Sequence, residues 1–158
     1  LNHIDIILNT NAGSLDLARL ESFVRENLLR IGAADWRLGL VITDNTEIRE
    51  YNRRWRNLDE PTDVLSFVQT EGEQVPAVPG MPKERGDIVI SLEEIAGSAR
   101  ELGNSFDDEL RRVIIHGLLH LDGQDHLEND YGVGMLKQQE ELLAETNGIA
   151  IGTDDFYS

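Results

Sequence analysis

The chain has 158 residues, a formal net charge of −16 and no cysteine. That length suits one ordinary domain able to bury a core without covalent staples, so a single domain over residues 1–158 is expected. The missing thiols exclude disulfides, thiolate metal sites and cysteine nucleophiles, which leaves nitrogen and oxygen as the donors to any metal.

Residues 3–9, HIDIILN, alternate apolar and polar as a half-buried strand does, with Ile4, Ile6 and Leu8 on one face. The opening LNHIDIILNT is broken by Asn and Asp too early for a secretory signal. No apolar run approaches the roughly 20 residues of a membrane span, so a soluble, cytoplasmic chain is expected. From Ser14 the three-to-four spacing of Leu17, Leu20, Val24, Leu28 and Ile31 predicts a helix stopped by Gly32. WRLGLVIT, residues 36–43, predicts a second strand. DNTEIREYNRRWR then predicts a helix capped by Asn45 or Thr46, with Ile48, Tyr51, Asn52 and Trp55 on one face and Arg56 at its end.

Pro61 blocks helix continuation, and TDVLSFV, residues 62–68, is rich in strand formers. Residues 69–85 hold three Pro and two Gly and read as a long surface loop or flap. GDIVIS, residues 86–91, is expected to be the most buried strand. A helix from Leu92 to about Leu102 ends at Gly103. A second helix opens at SFDDE with Ser105 as its cap. A last helix spans roughly Tyr131–Asn147, and the tail TDDFYS reads as frayed. This order predicts an α+β fold with α/β-like alternation: one small mixed sheet of about four strands packed with about five helices.

The helix opened by Ser105 carries HGLLHLDGQDH, residues 116–126. Leu110, Val113, Ile114, Gly117, Leu118 and Leu121 form its buried stripe. His116 and His120 are one helical turn apart and can reach one ion. Gly123 in a left-handed turn lets the chain bring His126 back to the same point. Three neutral imidazoles leave a fourth position open for water, the mark of a catalytic rather than a structural zinc site. One such histidine alone reads as a core residue; three at this spacing read as a metal site. Zinc is the default ion, with nickel, cobalt and copper also compatible with imidazole. Because the donors must be neutral, affinity is expected to fall below about pH 6. The spacing is that of metzincin proteases, but Gly117 stands where those enzymes carry the glutamate base.

The acidic total argues against binding a polyanion, yet the basic residues are twelve Arg to two Lys. Five of these Arg fall in two groups, Arg53, Arg54 and Arg56, then Arg111 and Arg112. They suit bidentate phosphate contact or, more blandly, pairing with the surrounding carboxylates. Ser66 and Ser91 read as strand-end hydrogen bonders, Asp63 and Asp87 as caps or ion-pair partners, and Met135 as core.

Taken together, HGLLHLDGQDH, YNRRWRNLDEPTDVLSF (residues 51–67) and GDIVIS resemble the three signatures of the YbeY family of bacterial metal-dependent endoribonucleases. The similarity of order and spacing covers roughly residues 40–145. It departs at Gln124, where the family usually has Tyr, and at Val68, where it has Pro; neither is a metal ligand. The resemblance implies His116, His120 and His126 as zinc ligands and Arg56 as the functional arginine. It further implies cleavage of single-stranded RNA in ribosomal RNA maturation and ribosome quality control, with ribosomal components as partners. A guanidinium beside a metal suits the extra negative charge of a pentacoordinate phosphorus. Two other readings stand beside it: a metal-bearing ribosome assembly or interaction factor without strong nuclease activity, and a metallopeptidase-like hydrolase.

Overall fold

A computed structural model describes residues 1–11, 13, 15–69, 81–123 and 129–151, the last stretch without the side chains of residues 129–133. The expected helix start at Ser14, most of the flap, the turn holding His126 and the tail TDDFYS lie outside the described residues. Along the chain run β1 (His3–Leu8), α1 (Leu17–Arg30), β2 (Trp36–Thr43), α2 (Asn45–Arg56), β3 (Val64–Val68), β4 (Lys83–Ser91), α3 (Leu92–Leu102), α4 (Phe106–Leu121) and α5 (Asn129–Glu145). The strands form one mixed sheet in the order β1-β2-β4-β3. β1, β2 and β4 are parallel, and β3 runs antiparallel to β4. This is the α+β architecture the sequence predicts.

β2 and β4 are paired on both sides, which is why their sequences read as nearly continuous apolar runs rather than alternations. Their alternation still sorts side chains between two faces. Leu40, Ile42, Ile88 and Ile90 join the large cluster built with α1, α3, α4 and α5, while Val41 and Val89 meet Leu65 of β3 and Ile48 of α2. α4 and α2 therefore cover opposite faces, and β3 is the edge strand between them.

Element boundaries differ from expectation for local reasons. α1 is capped by Asp16, whose side chain accepts from the Arg19 amide at 3.1 Å. α2 is capped by Asp44, which accepts from the Glu47 amide at 3.0 Å, and not by Asn45 or Thr46. Asn45 is engaged elsewhere: its amide donates to Glu93 and its side-chain oxygen accepts from Ser91. Leu8, Leu17 and Trp55, expected on buried faces, are 43%, 38% and 60% exposed. Leu8 ends an edge strand, and Leu17 and Trp55 sit at helix ends, where the core no longer covers the stripe. β4 starts three residues earlier than GDIVIS, taking Lys83–Arg85 from the expected flap, while β3 starts at Val64 and α5 at Asn129.

Gly86 explains the earlier start. The β2–β4 register shifts between Arg37 and Leu38, and Gly86 takes φ +125° there, where a side chain would collide with the carbonyl of Phe67. The bulge at its neighbour Arg85 aims that side chain across the sheet end. Its guanidinium stacks 4.5 Å from the Trp36 ring centroid and donates to the carbonyl of Leu121 at 2.7 Å. That carbonyl belongs to the last residue of α4, so β4 holds the end of the histidine-bearing helix.

Candidate active site

α4 begins where Ser105 accepts from the Asp108 amide at 3.0 Å, with Asp107, Asp108 and Glu109 in the first turn favouring its positive end. Its Leu110, Val113, Ile114, Leu118 and Leu121 are buried as the periodicity predicts. That packing turns His116 and His120 together toward the edge of the sheet. Their Nε2 atoms lie 3.1 Å apart, with ring centroids at 4.7 Å and an interplanar angle of 72°. Two donors on one tetrahedral zinc at about 2.05 Å stand about 3.3 Å apart, so this pair fits the ion the sequence calls for. His116 Nδ1 lies 2.7 Å from Oε1 of Gln139, reached from α5. Gly123, at φ +86°, takes the expected left-handed turn just after the helix. His126 lies beyond it, outside the described residues, and among the described residues no group of three metal-binding side chains occurs.

Arg56 reaches the same place from the other face of the sheet. α2 ends with Asn57 in the left-handed conformation, φ 60°, and Asn52, buried at 3% exposure, donates to the Glu60 carbonyl at 2.9 Å. This fixes the chain that leaves α2 toward Pro61 and β3. Arg56 bends back over β3, donating from Nη2 to the Ser66 carbonyl at 2.8 Å with its guanidinium carbon 5.0 Å from the Phe67 ring centroid. The result is a cleft of about 450 Å³ along the outer edge of β3, with Arg56, Ser66 and Val68 on one side and His116, His120 and Gly123 on the other.

The other arginines of both groups are occupied. Arg53 and Arg54 pair with Glu50, and Arg49 pairs bidentately with Asp59 at 2.8 and 3.2 Å. Arg111 is buried against Asp107 at 2.8 Å, and Arg112 joins Asp108, Glu109 and Glu140. Those hydrogen bonds hold the Glu50, Asp59 and Glu140 carboxyls below the usual carboxylate range. Among the described residues, Arg56 is the one arginine of α2 with no carboxylate at salt-bridge distance. Of the two readings of the arginine groups, pairing with carboxylates therefore holds for Arg53, Arg54, Arg111 and Arg112, while the Arg56 guanidinium stands in the cleft.

Gly117 does not face this cleft. A side-chain carbon built there would lie 2.9 Å from Cγ2 and 3.0 Å from Cδ1 of Ile88 on β4. Its lack of a side chain serves the close approach of helix to sheet. Nor does any Asp or Glu line the cleft among the described residues. Ser91 caps α3, and Met135 is a core residue, 1% exposed, as expected of both.

The model of the endoribonuclease YbeY family matches residues 7–147. The chain belongs to that family. Two curated family members align over nearly their whole length. The endoribonuclease YbeY of Treponema denticola is 39% identical, with 95% of this chain and 97% of the relative covered. That of Bacillus velezensis is 40% identical, with 90% and 94% covered. Among solved structures, the solution structure of TM1509 from Thermotoga maritima superposes with a TM-score of 0.65 at 30% identity, covering 92% of this chain and 89% of that one. The YbeY-family reading of the signatures holds, and the family's mixed fold is the one described above.

Two contributors were not singled out in the sequence, Gln139 and Arg85. Gln139 had a signal: it is a polar residue in the buried stripe of α5, between Met135 and Leu142. Arg85 had none, because its reach depends on the bulge.

Proposed function

We propose that this chain is a zinc-dependent endoribonuclease specific for single-stranded RNA, acting in ribosomal RNA maturation and ribosome quality control. The carrying observation is that two imidazoles with convergent Nε2 atoms share one cleft with an arginine that, among the described residues, no carboxylate neutralises. The endoribonuclease name of the full-length relatives supports the reaction class. His116, His120 and, by the sequence motif, His126 would hold the metal; nickel or another divalent ion is the alternative to zinc. When bound, such an ion supplies Lewis acidity and lowers the pKa of water.

The chain's own residues supply the rest. Among the described residues Arg56 bonds only Ser66, through Nη2, so its Nε and Nη1 can donate to a phosphoryl oxygen. Charge that grows on phosphorus during attack then meets a guanidinium already held in place by Phe67 and the β3 backbone, so little reorganisation is needed. The apolar Val64, Leu65 and Val68 give sugar and base a wall. A cleft of about 450 Å³ admits one or two unstacked nucleotides, and an A-form duplex is too wide to enter. No helix among the described residues is long and apolar enough to cross a membrane.

Purified zinc-loaded protein should cut single-stranded RNA and spare duplex RNA, and His120→Ala and Arg56→Ala should each abolish most of that activity. Intact RNA with all three proteins would overturn the reading. A ribosome assembly factor is the second reading, motivated by the net charge of −16, which suits basic ribosomal proteins better than RNA. Protein-only partners, with RNA affinity indifferent to Arg56→Ala, would favour it. A peptidase gains nothing from position 117, which points into the sheet.

A further inference from the structure

The contact between His116 and Gln139 determines which imidazole nitrogen carries the proton. Gln139 is 6% exposed, and of the two orientations open to its amide its neighbour selects one. Its Nε2 lies 3.4 Å from Oε2 of Glu140. Arg112 holds that Glu140 carboxylate with Nε at 3.0 Å and Nη2 at 3.2 Å, and this hydrogen bonding keeps the carboxyl below the usual range. An ionised carboxylate only accepts, so the amide NH₂ of Gln139 turns to Glu140 and its carbonyl oxygen turns to His116. A carbonyl oxygen cannot donate. The 2.7 Å contact therefore requires a hydrogen on His116 Nδ1, and a neutral ring protonated there carries its lone pair on Nε2. Nε2 is the atom that faces His120 in the cleft.

We infer that Gln139 is a positioning residue that fixes His116 in its Nδ1-protonated tautomer, with Nε2 presented to a divalent ion. The inference rests on the proposed reading of His116 as a ligand. Arg112 and Glu140 support it from behind: Arg112 precedes His116 by one turn of α4, and Glu140 follows Gln139 on α5, so this ion pair ties the two helices beside the contact. The orienting group is a neutral amide where a carboxylate would push more electron density onto the ring, so a Gln139→Glu chain should hold the same tautomer and bind metal more tightly.

The test uses the full chain without metal, then with zinc. Long-range nitrogen–proton NMR spectra above about pH 8, where imidazole is neutral, report the tautomer of His116 directly. The expected result is hydrogen on Nδ1 in the wild type and in Gln139→Glu. Gln139→Ala and Gln139→Leu should lose that preference, and zinc affinity measured by chelator competition should fall roughly 10- to 100-fold in both. Leu143→Ala, a core truncation on the same helix, controls for destabilisation and should leave the tautomer unchanged. An Nε2-protonated His116 in the wild type, or an unchanged tautomer and affinity in both Gln139 truncations, would overturn the inference. A tautomer that responds as expected in a chain that binds no zinc would leave the contact standing and sink the metal reading instead.

Discussion

Gly117 of the histidine helix packs directly over Ile88 of the sheet: a side-chain carbon on Gly117 would approach three carbons of Ile88 at 2.9, 3.0 and 3.1 Å. A branched side chain on a central strand cannot swing away freely. Gly117→Ala should therefore lower stability by about 1 kcal/mol, overpacking exceeding the helix-propensity gain. Gly117→Glu should cost more, about 3 kcal/mol or above, because it also buries a charge. Ile88→Ala removes all three carbons, so Gly117→Ala should become neutral or stabilising in that background. Denaturant titrations of the four chains measure this coupling, and purely additive effects would contradict the contact.

Arg56 should separate chemistry from folding. It is exposed, so Arg56→Ala should change stability by no more than about 0.5 kcal/mol. RNA cleavage should nevertheless fall on the order of 100- to 1,000-fold, with zinc affinity unchanged. Arg56→Lys keeps the charge but loses the planar fork that stacks on Phe67 and should recover only part of the rate. Single-turnover cleavage beside a zinc titration checks both halves.

Asn52 and Asn57 set the path from Arg56 to β3. Asn52→Ala removes a buried bond to the Glu60 carbonyl and should cost about 1–2 kcal/mol, whereas Asn57→Gly should be neutral or mildly stabilising because the left-handed backbone suits glycine better. Thermal melts rank the two. A wild-type-like melt for Asn52→Ala would mean the bond carries no weight.

Glu140 gives a pH dependence with a definite sign. Its hydrogen bond to Arg112 lowers its folded pKa, so the pair adds stability above the ordinary glutamate pKa of about 4.3 and loses it as pH falls through the lower folded value. The group is half exposed, so solvent screening limits the effect to a few tenths of a kcal/mol. Carboxyl NMR titration is the sensitive readout: Glu140 should titrate below an ordinary glutamate, and Arg112→Ala should return it toward the ordinary value.

Much of this was readable beforehand. The apolar runs located β2 and β4, Ser105 marked the start of α4, and the spacing of His116 and His120 placed them together. The misses share one cause, a tertiary partner that local pattern does not encode. Asn45 looked like the cap of α2 until Ser91, Glu93 and Glu94 took up its polar groups. Arg53, Arg54, Arg111 and Arg112 instead follow the blander expectation, pairing with carboxylates three or four residues away on their own helices. The sequence says that Gly117 has no side chain, but only the packing of α4 on β4 says which way the vacancy points.

The central claim is that the histidine pair and Arg56 act together on single-stranded RNA. It is tested most directly by cleavage of a labelled single strand with zinc-loaded wild type, His116→Ala, His120→Ala and Arg56→Ala chains, each checked for folding. The account predicts cutting by the wild type, loss of zinc and of activity in both histidine variants, and zinc retained with activity lost in Arg56→Ala. Undiminished cutting by the folded histidine variants would contradict it.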